Sequence, residues 1–288
     1  MKIIKVTNIE KFATKILPKQ PQKNRIIVES ILKDVKKNGD VAIRKYEKKF
    51  SRANITTLQV SKAEIKNAYS KVSKIELDSL RLAKKRLEKT ESAIKSLLKN
   101  KTINQDGIKI SKKFIPIQSV GCYIPGGLAK YPSSVIMSVV PAKVAGVKRI
   151  VVVSPPNTDG KIDPLTIVAA NLCGANEIYK TGGVQSIAAL SYGTKSILKV
   201  DKIVGPGGAF VTTAKYLISN ETGIDMLAGP TELGIISDNS TNPKLIALDL
   251  ISQAEHSSDT LCYLITTSQK LANSVNKIIL ELIPKIKR

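Results

Sequence analysis

No tryptophan occurs among the 288 residues, and all aromatics together make up only 4% of them. No run interleaves aromatic with basic residues, so the chain lacks a base-stacking platform for single-stranded nucleic acid. Arginine is scarce as well: only 7 of the 46 basic residues are arginine. Arginine is the side chain expected where phosphates or bases are gripped in bidentate fashion. The net charge of +23 is therefore a lysine charge. It is spread along helical patterns such as Lys36-Lys37 and Lys84-Lys85, which reads as a solvated surface and not a nucleic-acid footprint. Cysteine is limited to Cys122, Cys173 and Cys262, odd in number, far apart and without a C-x-x-C spacing. That argues against a disulfide framework and an all-cysteine zinc site, and leaves buried structural thiols. No stretch reaches the roughly 18 uninterrupted apolar residues of a membrane helix. The opening Met1-Lys-Ile-Ile-Lys-Val has no long apolar segment followed by small residues, so no signal peptide, no membrane and a cytoplasmic location are expected. Histidine occurs once, at His256.

What is present is enough apolar material, 42% of the residues, to bury a core, and a length that suggests two domains at roughly 150 residues each. The first hundred residues read as charged helices. Ile26, Ile27, Ile31, Leu32 and Val35 recur at helical spacing. Asn38-Gly39-Asp40 marks a stop and restart, with Asp40 placed to cap the next helix. A second helical pattern from about Ser61 to Leu98 breaks near Val72-Ser73. From Ile108 the texture changes to short extended runs. The β-branched run Arg149–Ser154 reads as a strand buried on both faces. Further strands are expected over 177–181, 200–204, 233–237 and 260–266. Helices between them are expected over 134–145, 164–173, 184–192, 209–218, 243–254 and 269–282. Such alternation predicts an α/β fold with a mostly parallel sheet, whose ligands bind at the carboxyl ends of the strands.

Five segments at those ends carry candidate chemistry. Tyr123-Ile-Pro-Gly-Gly-Leu-Ala-Lys-Tyr-Pro-Ser133 links a strand to a helix. Its paired glycines suit close approach of an anion or nucleotide, with Ser133 or Ser134 as cap, although an ordinary turn has the same look. Val204-Gly-Pro-Gly-Gly-Ala-Phe210 is similarly placed and resembles a phosphate cradle, but matches neither G-x-G-x-x-G nor a Walker sequence. Thr181-Gly-Gly-Val-Gln185 and Leu227-Ala-Gly-Pro-Thr-Glu232 put polar residues at element ends, where capping alone is also a sufficient reading. In Ser252-Gln-Ala-Glu-His256 the side chains of Gln253 and His256 share a helix face. Imidazole is a good zinc ligand and a Gln amide oxygen a less usual one. A lone histidine is more often structural than a ligand.

Taken in order, these segments form a longer signature. V-G-x-Y-I-P-G-G is followed by Y-P-S-S-V-x-M, G-G-V-Q-x-I-A-A-L, K-V-D-K-I-V-G-P-G, I-D-M-x-A-G-P-T-E and D-L-x-S-Q-A-E-H. Together they resemble the histidinol dehydrogenase family, over the whole chain and most closely from Ile117 to Asp259. The resemblance implies oxidation of L-histidinol to L-histidine by two hydride transfers to NAD through a bound aldehyde, with a zinc ion holding the substrate. It implies two related, incomplete Rossmann-like domains with mostly parallel sheets after an N-terminal helical segment. Residues 1–122 and 235–288 would form the first domain and 123–234 the inserted NAD-binding domain. It implies a homodimer. Gln253 and His256 match two of four zinc ligands and lie close to the substrate. Thr231 matches a substrate-contacting position, and Tyr123 and Gln185 match NAD contacts.

Two departures from the family pattern bear on function. Gly208 stands where the family's G-P-G-N carries an NAD-contacting Asn, so the backbone is kept and the side-chain hydrogen bonds are lost. The family's Glu-His proton-transfer pair, and the Asp and His that complete the zinc site, follow the segment matched here, so a truncated chain without its catalytic acid/base is expected. Two alternatives fit the same residues: a related zinc/NAD alcohol dehydrogenase with another substrate, and a non-catalytic basic binding protein on the same scaffold.

Overall fold

A computed structural model describes residues 2–16, 22–126, 130–227, 232–255 and 260–286. It divides into two compact units, Gln22–Leu227 in one and Met1–Pro21 with Ala228–Arg288 in the other. The family resemblance implies boundaries at 122 and 234.

In the larger unit, five strands form one parallel sheet: β3 (Ser119–Tyr123), β4 (Arg149–Ser154), β5 (Glu177–Lys180), β6 (Lys202–Val204) and β7 (Gly223–Ile224). Their order is β5-β4-β3-β6-β7. The chain thus runs outward from β3 in one direction and then restarts on its other side, so the switch point lies between β3 and β6. Alternate residues serve opposite faces, as the strand period of two requires. Tyr123, Val151 and Val153 join one apolar cluster with Ile31, Val35, Ile43, Ile187, Leu190 and Ile218. Val120, Cys122, Ile150 and Val152 join another with Leu80, Ile136, Val139, Ile167 and Ala170. The first face is covered by α2 (Gln22–Phe50), α7 (Gly183–Tyr192) and α8 (Ala209–Ile218), and the second by α3 (Lys62–Ser70), α4 (Lys74–Ser96), α5 (Pro132–Ala145) and α6 (Pro164–Cys173). The N-terminal helices are therefore part of the sheet's covering. The stretch beside β5 adds an antiparallel bridge, Gln59 with Tyr179, which shields that edge strand from foreign pairing.

The helix ends follow from local chemistry. Ser61 and Ser73 form capping boxes with Glu64 and Glu76 at the starts of α3 and α4, which is why the pattern from 61 to 98 breaks where it does. The stop at 38–40 is a kink within α2, with Gly39 at φ 51°. Asp40 does not serve as the expected cap there: its carboxylate accepts from Ser196 N (3.3 Å) and Ser196 Oγ (2.5 Å). An exposed hairpin of β1 (Lys101–Gln105) and β2 (Ile108–Lys112) turns through Asp106-Gly107, both at positive φ, the backbone of a two-residue hairpin turn.

In the smaller unit, β8 (Leu233–Ile236) pairs in parallel with β9 (Cys262–Ile265), joined through α9 (Pro243–Ala254) and followed by α10 (Gln269–Leu282). Ile246, Ala247 and Leu250 of α9 pack with Leu271, Val275 and Ile279 of α10. The unit also holds the short helix α1 (Ile9–Ile16). Cys122 and Cys173 are buried as expected, while Cys262 is half-buried and all three are free thiols. Among the described residues, no helix is long and apolar enough to cross a membrane.

Candidate nucleotide site at the sheet switch point

The exits of β3 and β6 are stitched together by backbone. Gly205, the first residue after β6, has φ +115°, and a Cβ there would lie 2.1 Å from the carbonyl oxygen of Tyr123. No other residue fits this approach. The loop is held from behind by charge. Gly205 N donates to Asp225 Oδ2 (2.8 Å), and the ammonium of Lys215, buried in α8, donates to Gly205 O (3.0 Å). Lys215 Nζ also forms a close ion pair with Asp225 Oδ1, which accepts from Met226 N at 2.7 Å. Burial alone would raise the Asp225 carboxyl; Lys215 and the two amides outweigh it and hold it below the usual range.

Three helices begin at this edge of the sheet. The N-caps of α5, α7 and α8 are Tyr131, Gly182 and Gly208, and none makes a side-chain cap hydrogen bond. Neither Ser133 nor Ser134 caps α5, because the helix starts one residue earlier, on Pro132. By contrast α6, α9 and α10 carry side-chain caps from Asp163, Asn242 and Ser268. Uncapped first-turn N–H groups at a helix start form a ready anion site. At Gly208 a Cβ would meet no atom of the described residues within 4 Å.

At α7 the picture differs. Tyr123 is buried, and its hydroxyl accepts a long hydrogen bond of 3.4 Å from Gly183 N. Burial pushes the phenol up to about 12, so it stays protonated at neutral pH and acts as a hydrogen-bonding group, not a base. Gln185 is 2% exposed; its Nε2 donates to Glu47 Oε1 at 2.7 Å, and its Oε1 is buried with no partner. The same Glu47 oxygen accepts from Thr181 Oγ1 (2.8 Å) and Gly182 N (2.9 Å).

The structure thus brings Tyr123 and Gln185 together around Gly183 and puts Gly208 at the start of α8. Gln253 sits half-buried in the last turn of α9, in the other unit. Thr231 and His256 lie outside the described residues. Among the described residues, no group of three or more His, Cys, Asp or Glu side chains is disposed to hold a metal ion.

Comparison with known proteins agrees with this architecture. The histidinol dehydrogenase profile matches residues 17–288. The chain belongs to the histidinol dehydrogenase family. It is 44% identical over 261 residues to the histidinol dehydrogenase of Methanocaldococcus jannaschii, covering 91% of this chain and 61% of that protein. It is 45% identical over 270 residues to the Clostridium acetobutylicum histidinol dehydrogenase, covering 92% and 62%. The crystal structure of histidinol dehydrogenase from Elizabethkingia anophelis superposes with a TM-score of 0.84 at 34% identity, over 97% of this chain and 65% of that one. The chain therefore spans about three-fifths of the length of these curated relatives. The family signature gains a physical reading here. Its K-V-D-K-I-V-G-P-G segment contains the Gly205 close approach, and its I-D-M segment supplies Asp225 to fasten it. Glu47 and Lys215, the buried charges behind the site, belong to none of the motifs read from the sequence. Each did leave a signal, a charge on an otherwise apolar helix stripe.

Proposed function

We propose that this chain carries the nucleotide-binding part of a histidinol dehydrogenase, an enzyme that oxidises L-histidinol to L-histidine with two NAD through a bound aldehyde. The observation that carries the reading is the edge at the β3/β6 switch point: the starts of α5 and α8, whose N-cap residues make no side-chain cap hydrogen bond, beside a buried acceptor at the start of α7, Gln185 Oε1, that lacks a donor. This edge suits a dinucleotide, which has anionic phosphates for the helix starts and hydroxyl donors for the acceptor. NAD, when bound, supplies the hydride acceptor. The residues of this chain bind and orient it. Tyr123 contributes a neutral phenol, Gln185 an amide, and the start of α8 its first-turn N–H groups.

For the substrate end, the family resemblance supports Thr231, Gln253 and His256 as contacts, with Gln253 and His256 also as zinc ligands. Two donors fall short of the four that a closed zinc site takes, so no chemical step is routed through the metal and no proton transfer is assigned to a residue here. A homodimer and a cytoplasmic location are part of the same reading.

Titration of NADH into the chain, followed by nicotinamide fluorescence, tests the proposal. Saturable one-to-one binding, lowered by Tyr123→Ala, is the expected result. No binding, together with salt-dependent retention on nucleic acid, would instead favour the basic binding-protein reading.

A further inference from the structure

Glu47 is the one carboxylate among the described residues with no exposed surface. Four donors surround it. Thr181 Oγ1, Gly182 N and Gln185 Nε2 reach Oε1 at 2.7–2.9 Å, and Ser51 Oγ reaches Oε2 at 2.7 Å. An ionised carboxylate only accepts hydrogen bonds. The amide nitrogen of Gln185 must therefore face Glu47, and Oε1 must face the other way. There it is buried and unpartnered, 3.1 Å from where a Cβ on Gly183 would stand, and Gly183 N in turn points at the Tyr123 hydroxyl.

The charge logic of α7 is thus opposite to that of α8. At α7 a carboxylate already occupies the positive helix start, and the group left without a partner beside it is a carbonyl oxygen. A phosphate placed there would meet an acceptor backed by a negative charge. At α8 the N-cap residue, Gly208, has no side chain to compensate the helix start, and anions are favoured.

We infer that Glu47 is a positioning residue: it locks Gln185 as an obligate acceptor, so that the start of α7 takes a ribose hydroxyl of the nucleotide while its phosphates lie at the start of α8. The inference rests on the nucleotide-site reading and deepens it.

The experiment is NADH titration of the full 288-residue chain and of Glu47→Gln, Gln185→Met and the double variant, each checked for folding by circular dichroism. An amide at 47 both donates and accepts, so Gln185 is no longer held in one orientation. Kd is expected to rise roughly 3–10-fold in Glu47→Gln, the worth of one hydrogen bond. The double variant should bind no more weakly than Gln185→Met alone, because Glu47 acts through that amide. Inorganic pyrophosphate should compete with NADH equally well in wild type and Glu47→Gln. Should Glu47→Gln not fold, Glu47→Asp, which withdraws the carboxylate by one methylene, is expected to raise Kd in the same way. Unchanged NADH affinity in a folded Glu47 variant, additive losses in the double variant, or weakened pyrophosphate competition would overturn the inference while leaving the nucleotide site standing. Failure of the wild type to bind NADH would remove both.

Discussion

Replacing Lys215 by methionine isolates the contribution of the buried charge that anchors the Gly205 loop. Methionine keeps the length and apolar stem of the side chain on the buried stripe of α8 formed by Val211, Ala214, Lys215 and Ile218, and removes only the ammonium. Two acceptors then lose their donor, Gly205 O and Asp225 Oδ1. Breaking a fully buried ion pair from one side costs about 3–5 kcal/mol. Here the Lys215 side chain is 2% exposed but that of Asp225 is 29% exposed, and Asp225 keeps the amides of Gly205 and Met226. Water and those amides absorb part of the loss, so about 2–3 kcal/mol is expected. Urea unfolding followed by circular dichroism at neutral pH measures it. The acid limb gives an independent check. A carboxyl held low in the folded state adds stability that is present above its unfolded pKa and lost as pH falls through the folded one. Because Lys215 is the largest of the influences that lower Asp225, Lys215→Met should also be less sensitive to acid. Adding Asp225→Asn should cost less than the sum of the two single changes, since the pair is coupled. A loss below about 1 kcal/mol, the range of exposed surface pairs, with additive single effects, would refute the assignment of this pair as the loop's anchor.

Gly208→Asn should be accommodated without repacking among the described residues, because a Cβ there meets none of their atoms within 4 Å. Its side chain is expected to serve the nucleotide as the Asn of the family's G-P-G-N does and so to lower the NADH Kd in the fluorescence titration; a raised Kd would mean instead that the side chain caps α8 and takes the N–H groups assigned to the phosphates. On α2, Asp34 accepts from Lys45 Nζ (2.7 Å), Asn38 Nδ2 (2.7 Å) and Tyr46 Oη (2.8 Å), and these bonds hold its carboxyl at about 2. Its contribution is present above the usual carboxylate range and is lost as pH falls through about 2. Asp34→Asn should therefore flatten stability below about pH 4, and an acid limb identical to wild type in urea unfolding would exclude the effect.

Much of the scaffold was legible because its signals are local. The run Arg149–Ser154 reads as a strand buried on both faces, and it is one. The helices following β4, β8 and β9 begin at Pro164, Pro243 and Gln269, as expected, because Asp163, Asn242 and Ser268 supply ordinary caps just before them. The elements missed have weak local signals. The strand Lys101–Gln105 is fully exposed and shows no alternation of burial, so only its pairing partner defines it. The two-residue β7 is fixed by tertiary position beside β6. Whether a helix belongs with one sheet or another is likewise set by which face finds apolar cover, and that information is non-local. Hence α2–α4 cover the sheet begun by β3, although the texture of the sequence changes near Ile108.

The candidate site divides along the same line. Glycine-bearing loops announce themselves, since some of their glycines answer a steric demand such as the Gly205 approach to Tyr123. The charges behind the loops do not, because lysines and glutamates are abundant in this chain and most are solvated. Glu47 and Lys215, the two buried charges carried on helices, nevertheless share one pattern. Glu47 stands with Ile43, Tyr46 and Phe50, and Lys215 with Val211, Ala214 and Ile218, each in the third place of an i, i+3, i+4, i+7 series. Solvated charges have no reason to occupy the apolar stripe of a helix, where burial without partners is costly. A charge found there must have partners elsewhere in the fold. For Glu47 these include Thr181, Gly182 and Gln185, and for Lys215 they are Gly205 and Asp225. In both cases partners lie in the loops at the strand ends, Thr181 and Gly182 for Glu47 and Gly205 and Asp225 for Lys215. In a lysine-rich sequence, position on the helix stripe and not the presence of charge is what separates a surface residue from one that shapes the site.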